Sequence, residues 1–294
     1  MKQNVWQKQA LKTIKMPPSS LLGQIRKKID LHSTSPYLDA LVLLSHISSQ
    51  PKSRILANPS PNLTPEQQTK LNLALIQVKE GIPLPYILGA WEFYQLPFFL
   101  TADVLIPRPE TEGLVEKAIK WLQNHPGRRT CLDLGTGSGC IAVTLAIKIP
   151  DLNILATDRS YPATLVARKN AQYHKTEKRI KFLAANLLTG FRTTVDLLIA
   201  NLPYIPTEKL KSLKVYNTEP RLALDGGLDG LSFIRGVLEK APGIMNPGGL
   251  ILLEIDESKG HDSQKLALSI FPRAEIQLDY DLSGMDRYLT IQIK

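Results

Sequence analysis

Asn201-Leu202-Pro203-Tyr204 follows an apolar run with the composition of a strand, Val195-Asp196-Leu197-Leu198-Ile199-Ala200. The nitrogen of an amide or an aromatic amine is planar and attacks poorly, because its lone pair is delocalised. Two acceptors set on its two N–H groups hold it in line with an electrophile. The side-chain oxygen of Asn201 and the backbone carbonyl of Leu202 suit that task. Pro203 stiffens the loop, and Tyr204 offers an aromatic wall for a flat group. These four are the expected catalytic and substrate-binding residues.

Upstream, the strand-like run Thr130–Leu134 enters a glycine loop, Gly135-Thr136-Gly137-Ser138-Gly139, which opens an apolar helix, Ile141–Ile147. Glycines let the backbone approach a ligand where the free N–H groups of a helix start point outward. A dinucleotide fingerprint requires Gly or Ala at the sixth loop position, for helix packing beside a pyrophosphate. Cys140 stands there instead. Asp133 would repel a pyrophosphate and would favour a cationic, amine-bearing ligand. S-adenosylmethionine is such a ligand. Asp158 ends the next strand, about twenty residues on, where a carboxylate accepts hydrogen bonds from both hydroxyls of a ribose. Asn186, after the third strand, is placed to accept from an adenine amino group, with Leu187 packing on the ring. The expected cofactor set is therefore Asp133, Gly135, Thr136, Gly137, Ser138, Gly139, Asp158, Asn186, Leu187 and Asn201. The two loops together predict methyl transfer from S-adenosylmethionine to an amide or exocyclic amino nitrogen.

These loops need a sheet to hold them. Strand-like runs recur at 130–134, 153–157, 180–184, 195–200, 250–255, 274–279 and 288–293, with helical segments between most of them. Such alternation predicts an α/β fold with a mainly parallel, seven-stranded sheet covered by helices on both faces. Before it, residues 19–85 read as a small helical bundle. Leu21, Leu22, Ile25 and Ile29 repeat at helix spacing, a second stripe follows Pro36, and Thr64-Pro65-Glu66-Gln67 opens a third helix with a capping box. Gly81-Ile82-Pro83 stops it. Residues 86–105, rich in aromatic and β-branched side chains, predict a hairpin linking the two domains, the second being 106–294. Residues 1–18 read as a basic extension.

The 294 residues are 43% hydrophobic and 21% charged, which fits a soluble globular chain with a substantial core. The longest apolar runs fall short of the roughly 20 residues needed to span a bilayer. Cys131 and Cys140 have neither disulfide-framework nor metal-ligand spacing, so a reducing cytoplasm and a metal-free site are expected. The net charge of +9 owes much to Lys2, Lys8, Lys12, Lys15, Arg26, Lys27 and Lys28. A solvated basic arm explains that excess, and a nucleic-acid or acidic-protein surface is the alternative.

The acceptor loop resembles that of the amino-methyltransferases with an Asn/Asp-Pro-Pro-Tyr/Phe motif. More narrowly, the chain resembles the protein-(glutamine-N5) methyltransferases that modify peptide chain release factors. Glu92-Phe93-Tyr94-Gln95-Leu96-Pro97-Phe98 followed by Leu105-Ile106-Pro107-Arg108-Pro109-Glu110-Thr111-Glu112 carries that resemblance. So do 39–46, 81–89, 219–227 and 281–287, and it extends from about residue 20 to the end. It implies a Rossmann-like fold, S-adenosylmethionine on the glycine loop and Asp158, and a Gly-Gly-Gln glutamine gripped by Asn201. It also implies that the helical domain helps to recognise class I release factors. No membrane, no stable nucleic-acid partner and a monomer are expected. Two residues depart from the family pattern: Leu202 stands for the usual Pro, which leaves the carbonyl but loosens the loop, and Asn186 stands for the usual Asp, which keeps an acceptor but loses a charge. Glu110 and Glu112 read as helix-start acids, and His46 as an uninvolved helix residue. Glu219 and Arg221 read as an ion pair ordering the loop after Tyr204. The competing functions are methylation of adenine N6 or guanine N2 in nucleic acid, and a non-catalytic binding module.

Overall fold

A computed structural model of the chain describes residues 19–294, so the basic extension of residues 1–18 lies outside the described residues. The chain divides into two units at Leu88 and Gly89.

The first unit is helical: α1 (Leu21–Ile29), α2 (Pro36–Ser48), α3 (Lys52–Ala57), α4 (Pro65–Lys79) and α5 (Leu84–Leu88). The capping box is present, with the Thr64 hydroxyl accepting from the Gln67 amide and the Gln67 side chain accepting from the Thr64 amide. It satisfies two N–H groups that the helix start would otherwise leave unpaired. Leu22, Ile25 and Ile29 bury against Leu41, Leu44, Leu71 and Leu75. Gly81, at φ +84°, ends α4 as expected. The short helices α3 and α5 were not legible as periodic patterns, being one or two turns long. His46 is exposed on α2.

The second unit begins with a hairpin, β1 (Ala90–Phe93) and β2 (Leu96–Phe99), and continues through α6 (Pro109–Asn124), β3 (Thr130–Leu134) and α7 (Cys140–Lys148). Then come β4 (Asn153–Asp158), α8 (Tyr161–Tyr173), β5 (Ile180–Ala184), β6 (Val195–Ala200), α9 (Thr207–Lys211) and α10 (Ser232–Lys240). β7 (Met245–Glu254), α11 (Gly260–Ile270), β8 (Glu275–Tyr280) and β9 (Asp286–Gln292) complete it. The seven-stranded sheet has the order β5-β4-β3-β6-β7-β9-β8. β3 to β7 run parallel, and β9 is antiparallel to both its neighbours. This is the α/β sheet expected from the sequence.

Successive strand residues point to opposite faces, and each face has its own core. Cys131, Leu197, Ile199, Leu250 and Leu252 join one cluster, with α6 and α7. Leu132, Leu134, Leu198, Ala200, Ile251 and Leu253 join the other, with α10 and α11. A strand buried on both sides has no polar alternation, which is why Val195–Ala200 reads as one apolar run.

The hairpin expected as a linker belongs to the second unit. Phe93 and Phe98 meet edge to face, ring centroids 6.1 Å apart, and both are buried in the cluster of α6 and α7. Burying each stabilises the fold by about 1.5–3 kcal/mol. Asn170 of α8, fully buried, accepts from the Phe99 amide (2.7 Å) and donates to the Phe99 carbonyl (3.0 Å) and the Ser138 carbonyl (2.8 Å). One side chain thus ties the hairpin to the glycine loop.

Candidate active site

Chain order reverses between β3 and β6: β4 and β5 lie on one side of β3, while β7 lies beyond β6. At such a switch point the loops leaving the strand ends diverge and open a crevice. Leu134 pairs with Ala200, so the next residues, Gly135 and Asn201, leave the sheet side by side. The glycine loop carries three positive φ angles: +70° at Gly135, +54° at Gly137 and +80° at Gly139. A Cβ at Gly135 would stand 3.1 Å from Leu202 Cδ2 and 3.6 Å from the Asn201 carbonyl oxygen. The acceptor loop therefore packs on the glycine loop, and Leu202, 4% exposed, forms that contact. The side chain that replaces the family's proline is an anchor between the two loops.

A cavity of about 230 Å³ opens beside them. Of the residues expected from the sequence it is lined by Gly135, Gly137, Asp158, Asn186, Leu187, Asn201, Leu202 and Pro203. Asp158 sits at its floor, where Oδ2 accepts from the Gly137 amide (2.9 Å) and Oδ1 from the Ser160 amide (2.8 Å). Burial raises its pKa, opposed by those backbone bonds. Each carboxylate oxygen keeps a further lone pair, the requirement for holding two ribose hydroxyls. Leu187, at φ +50°, turns the chain at one wall. Ala102–Leu105, Ala163 and Phe233 also line the cavity and were missed by sequence reasoning. Most are small or apolar and carry no local chemical signal, and Asp103 reads as an ordinary exposed turn carboxylate.

Five expected residues build the site without lining the cavity. Asp133 is fully buried and accepts from the Thr136 hydroxyl at 2.7 Å. Burial pushes its pKa to about 7, against that hydrogen bond. It braces the glycine loop from beneath and is not among the residues lining the cavity, while its buried Oδ1 has no hydrogen-bond partner among the described residues. Thr136 and Ser138 are buried, the Thr136 amide donating to the Thr157 carbonyl (2.9 Å). A Cβ on Gly139 would stand 3.0 Å from the Ala167 Cβ, so that glycine serves helix packing. Tyr204, expected as an aromatic wall, sends its hydroxyl to Glu254 Oε1 (3.2 Å).

Behind Asn201 lies a polar relay that sequence reasoning missed. Asn201 Nδ2 donates to Thr111 Oγ1 (2.9 Å), and Thr111 donates to Glu254 Oε2 (2.7 Å). Glu254 is 1% exposed, and burial pushes its pKa to about 7, opposed first by the Thr111 hydrogen bond. Its presence was hidden because β7 reads as an ordinary strand ending. Arg108 pairs with Glu219, which also accepts from the Ile106 amide at 3.1 Å. The partner of Glu219 is thus Arg108 rather than Arg221, whose guanidinium stacks 4.0 Å over the Tyr216 ring. The segment from Glu219 clamps the acceptor loop: Ile205 N–H donates to the Leu224 carbonyl (3.1 Å), and Gly226 N–H donates to the Ile205 carbonyl (2.8 Å). Both cysteines are free and buried, and no cluster of metal-ligating side chains occurs among the described residues.

Comparison with known proteins agrees with this architecture. Residues 116–217 match the methyltransferase small domain and residues 20–89 match the PrmC N-terminal domain. The fold is shared with the hMettl16 catalytic domain in complex with MAT2A 3′UTR hairpin 6, at TM-score 0.55 and 16% identity over 80% of this chain and 84% of that one. By its methyltransferase domain match and its curated relatives, the chain is an S-adenosylmethionine-dependent methyltransferase. Its sequence is 34% identical to the release factor glutamine methyltransferase of Bacillus anthracis, over 86% of this chain and 91% of that one. It is 39% identical to the one from Moorella thermoacetica, over 86% and 89%. The chain belongs to the release factor glutamine methyltransferase family.

Proposed function

We propose that this chain methylates the N5 amide nitrogen of the glutamine in the Gly-Gly-Gln motif of class I peptide chain release factors. The observation that carries this reading is the setting of Asn201. One N–H of its Nδ2 donates to Thr111, and its Oδ1 accepts no hydrogen bond among the described residues. The Leu202 carbonyl is likewise left without a donor among them. Two acceptors beside a cleft suit a primary amide, which has two N–H groups and one delocalised lone pair.

Asp158 would hold the ribose hydroxyls of S-adenosylmethionine, the Gly135–Gly137 backbone its amino-acid portion, and Asn186 with Leu187 the adenine. When bound, the cofactor supplies an electrophilic methyl group on a sulfonium. Asn201 and Leu202 take the two amide hydrogens of the glutamine and fix the direction of its nitrogen lone pair. Accepting from both N–H groups also raises electron density on the nitrogen as it attacks. The nitrogen that has gained a methyl is strongly acidic and gives its proton to water, so no dedicated base is required. Leu202 packs its side chain on Gly135 and keeps both acceptors against the cofactor loop in place of a second proline.

The helical unit recognises the release factor, and the enzyme works as a monomer in the cytoplasm. No helix among the described residues is long and apolar enough to cross a membrane. The test is methylation with labelled S-adenosylmethionine offered class I release factors, ribosomes and duplex DNA side by side, followed by peptide mass mapping. One methyl on the Gly-Gly-Gln glutamine is expected. Label on nucleic acid with none on release factors would transfer the acceptor loop to base chemistry.

A further inference from the structure

We infer that Thr111 and Glu254 are positioning residues for Asn201, and that their hydrogen-bond relay decides which end of the Asn201 amide faces the cleft. The inference rests on the proposed function for its kinetic consequence, though not for its geometry.

The argument is one of counting protons. A threonine hydroxyl has one proton and two lone pairs. In its ionised form the Glu254 carboxylate, 2.7 Å from Thr111 Oγ1, draws that proton toward Oε2. Its other oxygen, Oε1, accepts from Tyr204, so both ends of the carboxylate face hydroxyl donors. Thr111 then has only lone pairs to offer Asn201. The NH2 end of the amide fits them at 2.9 Å, and the carbonyl end would not. A flipped amide would set Oδ1 against Oγ1 with no proton between them, leaving a buried acceptor unpaired, which is disfavoured. Flipping would also present NH2 to the NH2 of the substrate, donor against donor. The relay thus selects the one amide orientation that can accept from a substrate nitrogen.

Burial gives the relay its leverage. Thr111 is 2% exposed and Glu254 1% exposed, so water does not supply alternative partners. Each member is held by a different element: Thr111 by the first turn of α6, Glu254 by the end of β7, Asn201 by the end of β6. Neither Thr111 nor Glu254 lines the cavity, so they act through Asn201.

The experiment uses the full-length chain with two readouts. Side-chain amide NMR follows the Asn201 NH2 pair, and steady-state kinetics follows transfer to a release factor. In the native chain one Asn201 amide proton is expected to be shifted downfield and slow to exchange. T111V, nearly isosteric but without a hydroxyl, should lose that signature and lower kcat by about 10- to 100-fold, the loss of one oriented hydrogen bond. The dissociation constant for S-adenosylmethionine should stay within about threefold, and T111S should recover most of kcat. E254Q should weaken both the NMR signature and kcat while keeping its shape. The inference is overturned if T111V turns over at the native rate, if T111V and T111S fall equally in step with Tm, or if the Asn201 NH2 is unprotected in the native chain. A native chain that leaves glutamine unmethylated would instead refute the substrate reading, and the NMR result would still decide the relay.

Discussion

Asp158 offers the sharpest test of where the cofactor sits, because its carboxylate does two tasks that substitutions separate. One oxygen holds the Gly137 amide at 2.9 Å and the other the Ser160 amide at 2.8 Å. Asp158 lines the cavity, and each oxygen has a second lone pair for a ribose hydroxyl. A hydrogen bond to an ionised acceptor contributes about 1.5–3 kcal/mol. Asn in this position keeps one oxygen and loses the charge, so D158N forfeits about one such bond to the cofactor. That corresponds to a dissociation constant raised about 10- to 150-fold. D158A removes both ribose acceptors and also releases the Gly137 amide, so its loss should be about 100-fold or more. Calorimetric titration with S-adenosylmethionine measures both, and urea unfolding of the same samples separates lost contacts from a lost fold. D158N binding with the native dissociation constant, in a chain unfolding at the native midpoint, would refute the placement of the ribose.

Other consequences can be checked independently. N201A should lower kcat about 100- to 1,000-fold, as expected for removal of one preorganised polar group, while S-adenosylmethionine binding is largely retained. Equal loss of both would place Asn201 in cofactor binding alone. G139A forces a Cβ to 3.0 Å from the Ala167 Cβ at φ +80° and should destabilise by about 2–4 kcal/mol, read as a fall in the urea midpoint. G127A, where nothing lies within 4 Å of the new Cβ, is the matched control and should unfold as the native chain does. The pH dependence of stability has a definite sign. Burial raises Asp133 from 3.8 and Glu254 from 4.5, each to about 7. Between those values the folded chain keeps protons that the unfolded chain has released. Their contribution is complete below about pH 4 and is lost as pH rises through about 7, by roughly 3–4 kcal/mol per group. The difference between unfolding free energies at pH 5 and pH 8 should therefore shrink in D133N, with the Glu254 share remaining, and an undiminished difference would exclude Asp133 as a source.

The local grammar of this chain was legible without coordinates. Thr64-Pro65-Glu66-Gln67 specifies a helix start from four consecutive residues, because capping satisfies N–H groups within a single turn. Val195–Ala200 specifies a strand buried on both faces, because no polar residue alternates through it except Asp196. The glycine loop likewise announced a tight turn, which its three positive φ angles bear out. What the tertiary structure alone decided was which distant residues meet. The pairing of Leu134 with Ala200, and hence the contact of Gly135 with Leu202, follows from strand order. The relay from Asn201 through Thr111 to Glu254 joins three elements far apart in the chain, so no periodicity or spacing encodes it. Asp133 sits in the same sequence context whether it faces a ligand or braces a loop; only the depth of its burial separates the two. Arg108 rather than Arg221 reaches Glu219 for the same reason. Propensity and capping act within a few residues and are written in order along the chain. Pairing, burial and charge compensation depend on how the elements are layered, and they exist only once the sheet has closed its two cores.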